Sequence, residues 1–315
     1  MDLQKLCEKK CFICDMDGVI YHGNRIIPHV KEFVEWLEKS GKNYLFLTNS
    51  SGRSPKELAQ KLARMGLNVG EDHFYTSALA TASFLKSQCP NGSVYVIGDA
   101  GLTDALLEAG FTINDVNPDY VVFGETTSLN YEKIEKAVRL IFNGAKLIGT
   151  NNDLTDPGEH GIIPACRALI APIELTTGKT AYYVGKPNPL MMRHALKKLD
   201  CHRVDAVIIG DRMDTDMIAG IESELDTVLV LSGITSLEDI NKFSYRPKYV
   251  FNNYLEIGIR GKFIDGNPPT VQIRGRYELT EEEKAQFDEL YERINEVASK
   301  RGMKDIPVQF FYGAI

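Results

Sequence analysis

Residues 11–19 read Cys-Phe-Ile-Cys-Asp-Met-Asp-Gly-Val, a short apolar run that stops at two carboxylates one residue apart. Such a run is the pattern of a buried strand. In α/β proteins, ligands bind just beyond the carboxyl ends of strands. Asp15 and Asp17 stand at that end, and Gly18 lets the chain turn there. A carboxylate so placed can serve as nucleophile, metal ligand or acid/base. A strand followed by an ordinary acidic turn has the same outward form.

The rest of the chain repeats this alternation. Val30, Phe33, Val34 and Leu37 recur at helical spacing, and Gly41 stops that helix. Tyr44–Leu47 is a second apolar strand, ending in Thr48-Asn49-Ser50-Ser51-Gly52. Ser54-Pro55-Lys56-Glu57 then forms a capping box with Pro at the first helical position. Strand, hydroxyl/amide loop and helix follow one another as in a phosphate-binding turn, and equally as in a plain capped turn. A third helix lies near Ser77–Lys86, and beyond Cys89-Pro90-Asn91-Gly92 a new strand–helix series runs through Val94–Ile97, Tyr120–Phe123 and Lys146–Gly149. After Lys186-Pro187-Asn188-Pro189 and its helix come the strand Val207–Ile209, the run Gly210-Asp211-Arg212-Met213-Asp214-Thr215-Asp216, and the strand Thr227–Leu231. Strands alternating with helices predict an α/β fold, a doubly wound parallel-sheet core. The middle series reads as an inserted α/β domain. The expected limits are 1–82 and 185–260 for the core, 83–184 for the insert, and 261–315 for an extension. In that extension Thr280-Glu281-Glu282-Glu283 opens an amphipathic helix to about Lys300, with Phe287, Leu290, Ile294 and Val297 on one face.

The 315 residues are 43% hydrophobic and 25% charged, ordinary for a globular protein, with net charge −7. That balance argues against nucleic acid as the partner, but a metal ion and one lysine can reverse the sign locally for an anionic substrate. No apolar signal region and no 18-residue apolar run is present, so neither secretion nor membrane insertion is expected, and the cytoplasm is the expected compartment. Cys7, Cys11 and Cys14 lack a second Cys/His pair at zinc-finger spacing, and the six cysteines are read as reduced thiols. A homodimer through the insert or the tail is one outcome the sequence leaves open.

In a parallel sheet, Asp15/Asp17, Thr48/Asn49, Lys186 and Asp211/Asp216 gather at one edge. They form a set for phosphoryl transfer. Carboxylates hold Mg²⁺, lysine and small donors position phosphate oxygens, one Asp attacks phosphorus and another handles protons. In this order the four motifs resemble the haloacid dehalogenase (HAD) superfamily, and more narrowly its NagD/p-nitrophenylphosphatase-like branch, over about residues 10–255. Gly149-Thr150-Asn151-Asn152-Asp153 adds to the likeness. The resemblance implies a Rossmann-like core with an inserted cap, and a Mg²⁺-dependent phosphatase acting on a small phosphorylated metabolite. It implies Asp15 as nucleophile and metal ligand, and Asp17 as acid/base with its backbone carbonyl on the metal. Asp211 would be a third metal ligand and Asp216 an orienting group. Thr48, Asn49 and Ser50 would contact phosphate, and Lys186 would hold its charge. Asn151, Asn152, Asp153 and Arg167 would be cap residues choosing the substrate.

Three departures qualify the likeness. Ser50 replaces a typical Asn. The cap loop reads Pro164-Ala165-Cys166-Arg167-Ala168, where Arg167 either meets a second anion or only widens the loop. The tail lies past the family's usual end. Gly98-Asp99 echoes Gly210-Asp211 but is read as an ordinary turn. Asp153, Asp156 and Glu159 lack EF-hand spacing, and His22 and His160 are isolated. The rival readings are a phosphotransferase or mutase on the same core, and a non-catalytic phosphoester-binding protein.

Overall fold

The computed structural model describes residues 3–158, 161–254 and 257–258. Two parallel sheets dominate. The first has six strands in the spatial order Tyr249–Phe251, Asp226–Val230, Ala206–Gly210, Cys11–Cys14, Asn43–Thr48, Phe74–Thr76. The second has five, in the order Tyr182–Tyr183, Lys146–Gly149, Tyr120–Phe123, Ser93–Ile97, Thr112–Ile113. Every pairing in both is parallel. The chain builds the first sheet outward on one side of Cys11–Cys14, makes the whole second sheet, and returns to build the other side. Cys11–Cys14 therefore sits where the winding reverses, and its carboxyl end is where such sheets bind ligands.

Local sequence explains the elements that matter. All four residues of Cys11–Cys14 are buried, as are all five of Ala206–Gly210. That is why these strands read as unbroken apolar runs instead of alternating ones. The helix Pro55–Arg64 starts as expected: Ser54 Oγ accepts from Glu57 N at 3.3 Å, Glu57 Oε2 accepts from Ser54 N at 2.8 Å, and Pro55 opens the first turn. A cap of this kind is worth about 1 kcal/mol, and it fixes the end of the loop that follows Thr48. Asn188 Oδ1 likewise accepts from Leu190 N at 3.0 Å to start the helix Pro189–Lys198.

One buried cluster joins Ile13, Leu45 and Ile208 of the first sheet to Leu102, Val122 and Ile148 of the second region. Met1–Tyr254 accordingly forms one compact unit. The helix Ser77–Gln88 runs unbroken through position 83. The hairpin Thr155–Gly158/Gly161–Pro164 was not expected from sequence. The proposed tail helix at 280–300 and His160 lie outside the described residues. Among the described residues, no helix is long and apolar enough to cross a membrane.

The cysteine expectation needs correction. Cys14, Cys89 and Cys166 remain thiols, but Cys11 is disulfide-bonded to Cys201, with 6.5 Å between Cα atoms. The two are 190 residues apart in sequence. They meet because Cys11 lies opposite Ala206 in the ladder, and Cys201 sits just ahead of that strand. Spacing along the chain gave no hint of the pairing.

Candidate active site

The amide of Asp15 donates to Ile209 O at 2.9 Å, so strand pairing carries the backbone straight into the first carboxylate. Lys186 arrives from the loop that leaves the second sheet. Its Nζ donates to Asp15 Oδ1 in a short bond and to Asp216 Oδ1 at 2.7 Å. The remaining oxygen of Asp216 accepts from Arg212 N at 3.1 Å. Asp211 follows the strand Ala206–Gly210 and is 1% exposed; its Oδ2 accepts from Ile234 N at 2.7 Å, whereas its Oδ1 is buried without a partner. One oxygen from each of Asp15, Asp211 and Asp216 lies within 4.8 Å of the others. Gly18 makes room here. Its φ is +78°, and a Cβ would come within 2.6 Å of Asp211 Oδ2.

The electrostatics follow from that crowding. Burial opposes the charge on Lys186, but Asp15 and Asp216 outweigh it and hold the ammonium above the usual lysine range. Burial pushes Asp15 well up, Lys186 pulls it down, and Asp216 and Asp211 push it up again. Burial and Asp216 raise Asp211 to about 7. Three carboxylates face one ammonium, so the cluster carries surplus negative charge. The orphaned Asp211 Oδ1 and the all-oxygen donor set suit a hard divalent cation such as Mg²⁺. Asp216 has both oxygens engaged, which fits an orienting role better than direct ligation.

A second layer is built on Asn49. Lys186 N donates to Asn49 Oδ1 at 2.8 Å, and Asn49 Nδ2 donates to Lys186 O at 2.9 Å and to Asp153 Oδ2 at 2.7 Å. Asn151 Nδ2 donates to Asn49 O at 2.8 Å and to Glu125 Oε1 at 2.8 Å. Glu125 Oε2 also accepts from Ser50 Oγ at 3.2 Å and Ser51 N at 3.4 Å. Thr48 Oγ1 accepts from Ser50 N at 3.1 Å. The loop after Thr48 is thus held by groups from the second sheet. Burial and nearby Asp156 raise Glu125 to about 7 against the pull of Asn151 and Ser50.

Asp17 is exposed and accepts from Tyr21 OH at 2.9 Å; Lys61 Nζ lies 3.7 Å from the centre of the Tyr21 ring. Of the cap residues singled out, Asn151 and Asp153 are buried against Asn49, and Asn152 is half-buried. Arg167 is exposed, and its charge acts on Tyr183, whose hydroxyl bonds Glu174 at 3.0 Å. The structure therefore unites Asp15, Lys186, Asp211 and Asp216 and sets Thr48, Asn49 and Ser50 beside them, while Arg167 donates its amide to Asp153 O at 3.0 Å with its side chain exposed. His22 is exposed and bonds Ser232 O. Sequence reasoning passed over Glu125 and Tyr21. Glu125 stands just past the strand Tyr120–Phe123, the same polar-after-strand signal that singled out Asp15.

Comparison with known proteins settles the family. A haloacid dehalogenase-like hydrolase model matches residues 12–112, and a HAD-hydrolase-like model matches residues 183–257. The ribonucleotide monophosphatase NagD of Escherichia coli K12 is 42% identical over 250 residues, covering 79% of this chain and 98% of that protein. The chain belongs to the haloacid dehalogenase-like hydrolases, in their NagD-like branch. A dihydroxyacetone phosphatase of Corynebacterium glutamicum is 43% identical over 246 residues, 78% of this chain and 90% of that one. Among solved structures, NagD from E. coli K-12 superposes with a TM-score of 0.75 at 42% identity, over 79% of this chain and 98% of that chain. A 4-nitrophenylphosphatase from Thermotoga maritima gives a TM-score of 0.78 at 32% identity, over 82% and 98%. The first match runs on into the second sheet, through Ser93–Ile97 to Thr112, and the second opens at Tyr183.

Proposed function

We propose that this chain, a phosphoric monoester hydrolase of the haloacid dehalogenase-like family, cleaves a small phosphorylated metabolite through an aspartyl-phosphate on Asp15. The observation that carries the reading is the Lys186 ammonium shared between Asp15 and Asp216, beside the unpartnered oxygen of Asp211. Asp15 Oδ2 attacks phosphorus, the ester P–O bond breaks, and Asp17 gives its proton to the departing alkoxide. Asp17 then takes a proton from water, the water oxygen attacks phosphorus, and the bond to Asp15 breaks to release phosphate. Tyr21 OH, bonded to Asp17, fixes the orientation of that carboxylate between the two steps.

Lys186 neutralises Asp15 and the incoming phosphoryl group, and the Thr48 hydroxyl supplies a donor to its oxygens from the loop that Asn49 and Ser50 hold in place. Asp15, Asp211 and the backbone carbonyl of Asp17 would hold Mg²⁺, which supplies the positive charge that lets an anionic carboxylate approach an anionic phosphate. We assign the core to 1–82 and 185–260, and substrate choice to a cap over 83–184. The names of the relatives, which include a dihydroxyacetone phosphatase and a ribonucleotide monophosphatase, support a small-metabolite substrate.

The test is Asp15→Asn assayed on p-nitrophenyl phosphate. The variant keeps its fold by circular dichroism and loses turnover; undiminished turnover overturns the assignment of Asp15.

A further inference from the structure

A cavity of about 380 Å³ is lined by Asn24, Arg53, Lys61, Arg64 and Met65. Three of its five lining side chains are cationic in a chain of net charge −7. Among the described residues, neither Arg53 nor Arg64 has a hydrogen-bonded or ion-paired carboxylate. Lys61 rests on the ring of Tyr21, whose hydroxyl bonds Asp17, so the cavity is two contacts from the acid/base. Burial lowers the pKa of Lys61, Asp17 raises it and Arg53 lowers it, which sets the ammonium in the field of both.

Ordinary helix electrostatics explains only part of this. Lys61 and Arg64 stand in the last turn of Pro55–Arg64, where cations suit the helix dipole. Arg53 precedes the opposite end, where a cation is unfavourable, yet it lines the same cavity. Three like charges around one space favour an anion there. Guanidinium groups suit carboxylate and phosphate geometry, binding both oxygens at once.

We propose that Arg53, Lys61 and Arg64 receive a second anionic group, so that the preferred substrate is a phosphate monoester with a carboxylate or another phosphate at its far end. The proposal rests on the phosphatase reading and narrows its substrate class. The reacting phosphate would lie at Asp15, and the distal anion would pass Asp17 and Tyr21 into the cavity. Arg167, the cap residue considered for a second anion, is exposed and does not line this cavity.

The test compares matched esters: glycerol 3-phosphate against 3-phosphoglycerate, which exchanges a hydroxymethyl end for a carboxylate, and fructose 6-phosphate against fructose 1,6-bisphosphate. The wild type should favour the anionic end in at least one pair by about tenfold or more in kcat/KM, the scale of one charge-assisted hydrogen bond. Arg64→Ala and Arg53→Ala, both exposed positions, should erase that preference while leaving the neutral-ended ester within about twofold. Absence of preference in both pairs, or equal losses on both members, overturns the proposal. If the wild type turns over no ester, the phosphatase reading fails, and the cavity is judged by calorimetric binding of inorganic pyrophosphate. Binding weakened about tenfold by Arg64→Ala then supports the anion site, and unchanged or absent binding overturns it.

Discussion

Two strands of this protein end in Gly-Asp, with different outcomes. Ala206–Gly210 leads into Asp211, which is 1% exposed and stands among Asp15, Asp216 and Lys186. Ser93–Ile97 leads into Gly98-Asp99, where Asp99 is exposed and its carboxylate makes no cap bond to the helix behind it. Both stand at the carboxyl end of a parallel strand. The difference is what the rest of the chain delivers. Around Asp211, segments from three distant parts of the sequence converge and leave one oxygen unpaired in a dry place. The Asp99 amide donates to Glu125 O at 3.2 Å and its carboxylate lies against Gly52, with no ion pair among the described residues. A strand-end carboxylate becomes chemically useful only where counter-charge and burial are brought to it.

The sharpest way to break this contrast is to remove each carboxylate in turn. Asp211→Ala should lower kcat by about 10³-fold or more, the scale of lost electrostatic stabilisation at a phosphoryl site. Chelation should silence the wild type, and Mg²⁺ should restore it but fail to rescue Asp211→Ala. Next comes Lys186→Met, expected to cost about 10²–10³-fold in kcat. The same variant should lose about 3–5 kcal/mol in urea unfolding, because Asp15 and Asp216 are left buried without their partner. A variant that lost activity with no loss of stability would show that the lysine is not buried with them.

Asn49→Ala removes the donor and acceptor that tie the loop after Thr48 to Lys186 and Asp153. It should cost about 10–10²-fold in kcat/KM, as positioning losses do. A milder effect concerns pH. Glu125 keeps its proton to about 7 when folded but loses it near 4.5 when unfolded. The unfolded chain then binds fewer protons in that window, and stability falls as pH rises through it. Asp156, raised to about 6, acts in the same direction. The Tm of Glu125→Gln should therefore vary less between these pH values than that of the wild type, whatever its absolute value; an unchanged slope would contradict a protonated Glu125. Smallest of all, Asp99→Ala should leave kcat/KM within about twofold.

How much of this could be read from residues alone depended on distance along the chain. The strand Cys11–Cys14 and the capped helix Pro55–Arg64 were plain, because burial on both faces and capping chemistry are local. The polar ends of the strands were equally plain, and the parallel winding gave a reason to gather them. What stayed hidden was pairing across long separations. Cys201 carries nothing to say that it reaches Cys11, and Glu125 gives no sign that it will accept from Ser50 and Asn151. The cluster of Arg53, Lys61 and Arg64 was missed for another reason: Lys61 and Arg64 look like a solvated helix end until Arg53 is seen lining the same cavity.

The central claim is that Asp15 carries the phosphoryl group. It is tested most directly with Asp17→Asn and p-nitrophenyl phosphate, whose leaving group needs no proton, so that the first step proceeds and the second stalls. Acid quenching followed by peptide mass spectrometry should find one phosphoryl group on the peptide containing Asp15 and none in Asp15→Asn. A full burst of p-nitrophenol with no modified peptide, or with the phosphoryl group on another residue, would contradict the account.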